Sequence, residues 1–168
     1  MAPHSAPAVP GPMKRLLSLT AAMAVAACGS PTAPDTRWAD PASIEYASTL
    51  HIDLEQMTRN ESGLYWQDIV AGDGAVAETG RTVYAHWSAW LPDGTLIERT
   101  RDMGGARSIL LGGGLVIKGL DEGIVGMRVG GLRKLVVPPA LGFGRAGKPP
   151  VPPLATLIFD VELISVVP

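Results

Sequence analysis

At 168 residues, with 46% hydrophobic and 18% charged side chains, the chain has enough apolar material for one globular core and short flanking segments. Its 20 Gly and 15 Pro argue against a protein built on long helices. Without Lys14 and Arg15, which fall in the leader described next, 12 basic residues face 16 acidic ones, a formal charge of −4. That balance excludes the cationic face with which proteins neutralise phosphate, so no nucleic-acid partner is expected.

The chain begins with a processing signal. Met13-Lys14-Arg15 gives a positive start, Leu16 to Ala27 an apolar stretch, and Val25-Ala26-Ala27-Cys28 a small-residue end, so residues 1–27 read as a secretory signal peptide. Residues 1–12 carry no Lys or Arg, which leaves Met13 as a second candidate start. The apolar run falls short of the ~20 residues a permanent span needs. Cys28 is the single cysteine and has no disulfide partner within the chain. Its setting resembles a bacterial lipobox, which implies that Cys28 is lipidated and becomes the mature N-terminus; the alternative is a plain secreted protein with an incidental cysteine. With Gly29 following it, the resemblance implies a cell-envelope protein anchored in the outer membrane and facing the periplasm. The Pro-broken segment 28–47 reads as an extended tether.

The globular domain is expected over residues 48–168. Leu50–Leu54 and Gly63–Val70 read as strands, the second closed by Gly72-Asp73-Gly74. From Val83 to Leu91 every second residue is apolar, which places Val83, Ala85, Trp87, Ala89 and Leu91 on one buried face. A turn at Pro92-Asp93-Gly94, a short return over Leu96–Glu98 and a strand over Ser108–Leu111 follow. Val116, Ile117, Leu120, Ile124 and Met127 recur at helical spacing, although Gly119, Gly123 and Gly126 each weaken a helix by about 0.5–1 kcal/mol relative to Ala. Strands over Leu132–Val137 and Thr156–Val166 close the pattern. In the last, Leu157, Phe159, Val161 and Leu163 oppose Thr156, Asp160 and Glu162. One short helix among antiparallel strands is an α+β arrangement.

Two suggestive patterns are misleading. Gly142-Phe143-Gly144-Arg145-Ala146-Gly147-Lys148 fits phosphate-loop spacings, but Pro149, Pro150, Pro152 and Pro153 forbid the helix whose N-terminal amides would hold a phosphate. His4, His51 and His86 lie far apart with no second cysteine, so no metal-ligand spacing exists. No nucleophile elbow is present either. No cofactor and no metal are expected.

From Gly80 to Leu163 the chain resembles the FKBP-type peptidyl-prolyl isomerases. The resemblance runs through Gly80-Arg81-Thr82-Val83, His86-Trp87, Leu91-Pro92-Asp93-Gly94-Thr95, Leu111-Gly112, Val116-Ile117-Lys118-Gly119-Leu120-Asp121-Glu122-Gly123, Met127, Val129-Gly130, Pro152-Pro153 and Ala155-Thr156-Leu157-Ile158-Phe159-Asp160-Val161-Glu162-Leu163. It implies a curved antiparallel sheet of five or six strands wrapped around one short helix, with a prolyl pocket between them. It also implies isomerisation of X-Pro bonds in envelope proteins during their folding, and proline-containing polypeptides as partners. The resemblance assigns catalysis to Trp87, Glu98, Ile117, Phe143 and Phe159, with the Ile117 N–H donating to a substrate carbonyl. Ile97, Val116, Leu120 and Val151 would contact substrate. Several positions depart from the family: Trp87, Ile97 and Phe143 stand for Tyr, Phe and Tyr, Leu120 for Trp, Glu98 for Asp, Met103 for its Arg partner, Arg107 for a pocket Phe and Lys148 for a loop His. These changes imply weakened macrolide binding and slow or selective catalysis; a peptide-holding module with little turnover is the alternative.

Overall fold

The computed structural model describes residues 39–167. The expected signal peptide, Cys28 and the first part of the tether lie outside the described residues.

The strands are β1 (Thr58–Arg59), β2 (Tyr65–Val70), β3 (Thr82–Trp90), β4 (Leu96–Arg99), β5 (Arg107–Leu110), β6 (Leu132–Val137) and β7 (Leu157–Val166). They form one antiparallel sheet in the order β1-β2-β6-β7-β3-β4, with β5 also paired to β3. The expected alternation in β3 holds: Val83, Ala85, Trp87 and Ala89 are buried, as is Leu91 just beyond it. In β7, Leu157, Phe159, Val161 and Leu163 face the same core.

The α-helix α1 (Lys118–Ile124) is shorter than the apolar spacing from Val116 to Met127 implies. Ile117 is still extended, with φ −60° and ψ 147°. The glycines have a packing role that helix propensity does not reveal. A Cβ on Gly119 would stand 2.4 Å from Val137 Cγ1, and one on Gly123 would stand 2.5 Å from Leu135 Cδ1. Their bare backbone lets α1 lie directly on β6. Asp121 accepts a hydrogen bond from the Gly112 N–H at 2.8 Å, and Glu122 accepts from Asn60 and Ser62, so the helix is tied to loops at both sides.

Arg133 on β6 closes the other end of α1. Its guanidinium donates to the carbonyls of Gly123 and Val125 at 3.0 and 3.2 Å, where the helix ends with unsatisfied oxygens. The same group makes a bidentate pair with Asp68 on β2, at 2.7 and 3.1 Å, and stacks on Trp66 with 4.2 Å to the ring centroid. A planar donor fork suits these tasks as a lysine would not.

The second sheet face is covered by the segment before β1. Leu50, Met57, Val136 and Ile158 form a buried cluster there, with Tyr46, Ala47, Ile52, Leu54, Tyr65 and Trp90 packed against it. Packing therefore starts ahead of the boundary expected at Ala47. Pro41 is buried, Tyr46 Oη donates to its carbonyl at 2.9 Å, and the Ala47 N–H donates to Pro92 O at 2.9 Å. The strand expected over Leu50–Leu54 is instead a pair of 3-10 turns, Ser48–Leu50 and Leu54–Gln56. His51 between them has φ 50°, which interrupts extended chain, and Asp53 caps the second turn by accepting from the Glu55 N–H at 3.1 Å. The polar alternation expected for β7 is also incomplete, because Ile158 is sealed by this segment and Thr156 is fully buried.

Tyr46 makes alkaline stability a test of this docked segment. Burial, then the nearby Tyr65 and Asp40, hold its phenol well above the ordinary value of 10.0. Above about pH 10 the unfolded chain releases the proton while the folded chain keeps it, so folding stability falls as pH rises toward the folded value. The expected drop in urea midpoint from about pH 8 to about pH 11 is larger for the native sequence than for Tyr46→Phe. Equal drops would show that Tyr46 is solvated in solution.

Candidate functional site

A concavity of about 620 Å³ opens between α1, the inner sheet face and the loop following β6. Trp87 and Ala89 come from β3, Ile97 and Glu98 from β4, and Leu157 and Phe159 from β7. Leu115, Val116 and Ile117 line it on the approach to α1, and Leu120 from within the helix. Phe143, Lys148, Pro149, Pro150 and Val151 form the outer loop wall.

All nine residues that the sequence marks as catalytic or substrate-contacting thus border one cavity: Trp87, Ile97, Glu98, Val116, Ile117, Leu120, Phe143, Val151 and Phe159. Sequence reasoning missed Leu115, Pro149 and Pro150. Leu115 carried a signal of its own, as a large apolar residue after Gly112-Gly113-Gly114; it is 74% exposed at the rim. Ala89 and Leu157 were legible only as core.

Local geometry explains how the walls are held. The buried Thr100 hydroxyl accepts from the Trp87 N–H at 3.0 Å and lies 3.3 Å from its carbonyl, with His86 Nδ1 at 3.1 Å. It fixes the β3 backbone at Trp87, two residues before β3 and β4 lose register between Ala89 and Trp90. In the outer wall, Lys148 and Val151 exchange backbone hydrogen bonds of 3.0 and 2.6 Å around the Pro149–Pro150 pair, whose peptide bond is cis. Gly147 is needed there, with φ +65° and a would-be Cβ 2.7 Å from Val151 O. The loop is a Pro-rich wall and, as its prolines require, not a phosphate loop followed by a helix.

The lining is apolar and aromatic with few polar groups. The Ile117 N–H makes no hydrogen bond among the described residues and stands at the start of α1. Trp87 is 9% exposed and its indole N–H has no partner among the described residues. Lys148 Nζ lies 5.6 Å from the Phe143 ring centroid. Met103 is held by Arg107, whose Nη2 lies 2.9 Å from the thioether sulfur. Such a cavity can hold a ring and an adjacent amide out of water.

Residues 74–164 match the family model described as FKBP-type peptidyl-prolyl cis-trans isomerase. The chain belongs to that family. An FK506-binding protein of Neisseria meningitidis serogroup B is 45% identical over 105 residues, 62% of this chain and 96% of the relative. The FKBP-type peptidyl-prolyl cis-trans isomerase FkpA of Escherichia coli is 39% identical over 109 residues, 65% of this chain and 40% of that protein. The crystal structure of FkpA aligns with a TM-score of 0.63 at 38% identity, covering 68% of this chain and 53% of that one. AtFKBP13 aligns at 0.62 with 32% identity, covering 66% and 98%. The sheet around a single helix is thus an FKBP fold, and the chain is an isomerase of this class. FKBP proteins bind proline-containing peptides, and the apolar cavity between helix and sheet has the size and lining for one.

Proposed function

We propose that this FKBP domain isomerises X-Pro bonds of proteins folding in the bacterial cell envelope, where a lipid on Cys28 holds it at the outer membrane facing the periplasm. The observation that carries the chemistry is the apolar cavity with the Ile117 amide, unpaired among the described residues, on its helix wall. Rotation about a peptide bond meets a barrier of ~18–20 kcal/mol, and X-Pro bonds take tens to hundreds of seconds unaided. No covalent bond is made or broken, so the site needs no nucleophile. Twisting removes amide resonance; walls such as Trp87, Phe143 and Phe159 that enclose the ring and exclude water favour the twisted form over the planar one. The Ile117 N–H would hold a neighbouring substrate carbonyl and fix the peptide while the bond turns. Phe143 has no hydroxyl with which to add a second hydrogen bond, typically worth about 0.5–1.5 kcal/mol, which is consistent with a selective or slow enzyme.

The location rests on the positive start, apolar stretch and small-residue end that lead to the single Cys28. Two measurements test the reading. Acceleration of cis-to-trans relaxation in X-Pro peptides by the purified protein is expected; binding without acceleration would reduce it to a peptide holder. In a bacterial host, the native sequence is expected in the membrane fraction and Cys28→Ser in the soluble fraction. A Cys28→Ser protein that stays with membranes would end the lipid-anchor claim.

A further inference from the structure

We infer that Glu98 and Trp87 make the pocket select clients with a lysine or arginine beside the proline. This rests on the peptide-binding reading above and names a preference within it. Glu98 stands opposite Ala89 across the β3–β4 ladder, and Trp87 is the next residue of β3 on the same inward face. A carboxylate and an indole therefore share one wall of the cavity.

The Glu98 carboxylate is not engaged by the protein's own side chains among the described residues: it has no hydrogen bond and no ion pair there, although it is half-buried in a mainly apolar lining. Of the basic groups that follow it, Arg101 pairs with Glu162 and Arg107 is turned to Met103. Lys148, the basic residue in the cavity lining, sits over Phe143 on the loop wall and makes no ion pair with Glu98. A half-buried carboxylate gains most from a charged donor, and an indole face attracts the same cation, Trp being the best aromatic for that contact. Lys148 fixes the polarity of the opposite side: a cation is favoured at the β4 wall and repelled at the loop wall.

The test measures kcat/KM and Kd for matched peptides in which lysine, norleucine or glutamate precedes or follows the proline. Norleucine keeps the alkyl stem of lysine without its charge. At low salt we expect a lysine-to-norleucine ratio of about fivefold or more at one of the two positions, within the range for a charge-assisted contact, and a decline with added salt. In Glu98→Gln the ratio should fall toward one, and in Lys148→Glu it should rise. Reading ratios within each variant removes any general loss of activity or folding. A native ratio at or below one at both positions, or a ratio unmoved by Glu98→Gln, would overturn the inference. Because Kd reports the same preference, a protein that binds the lysine peptides selectively but turns over none of them would fail the isomerase reading and sustain this one.

Discussion

Gly119→Val is expected to lower folding stability by about 3 kcal/mol and to abolish measurable isomerase activity with it. The position is closed on the sheet side, since even a Cβ would meet Val137 Cγ1 at 2.4 Å, Cγ2 at 3.0 Å and Cβ at 3.2 Å. Val137 is β-branched and fully buried, so it has no free rotamer into which to retreat. The helix must instead lift from β6, carrying Ile117 and Leu120 away from Trp87 and Phe159. Gly123→Ala is the informative comparison. Its Cβ meets Leu135 at Cδ1, Cδ2 and Cγ, 2.5, 2.7 and 3.2 Å away; Leu135 is fully buried too but unbranched at Cβ, so it yields more readily than Val137, and the Ala gains about 0.5–1 kcal/mol of helix propensity. Urea midpoints and peptide relaxation rates should therefore show a severe effect at Gly119 and a smaller one at Gly123. Equal effects would mean that the two glycines serve helix flexibility and not the approach to β6.

Phe159→Ala should cost about 3–5 kcal/mol of stability and lower kcat/KM by about tenfold or more. Phe159 is 4% exposed and belongs both to the main core and to the pocket lining, so truncation leaves a void on the inner face of β7 and opens the pocket to water. Phe159→Leu separates the two roles, because it fills much of the void but offers no aromatic wall. Urea unfolding is expected to place it nearer the native protein, while the relaxation assay places it nearer Phe159→Ala. A leucine variant with undiminished kcat/KM would show that the ring contributes packing alone.

Much of the fold was legible from two periodicities. The two-residue repeat of Val83 to Leu91 and of Leu157 to Leu163 marked the inner face, and the three-and-four spacing around Leu120 marked the helix. Candidate site residues were legible because they stand in ordered blocks that resemble one family. Leu115, Pro149 and Pro150 were not, since rim positions follow from loop geometry and carry no repeat.

By itself the sequence determined an α+β chain with inward Trp87, Ala89 and Phe159, and a Pro-rich loop with no helix after it to cradle phosphate. Those features depend on local chemistry: alternation, proline stereochemistry and residue order. Only the tertiary structure decided that Gly119 and Gly123 are contact points, that Arg133 closes the helix, that residues from Pro41 onward seal the back of the sheet, and that Glu98 is left without a partner. Each depends on atoms far apart in the chain meeting at a few ångströms, and a pattern along one strand holds no record of what covers its other face.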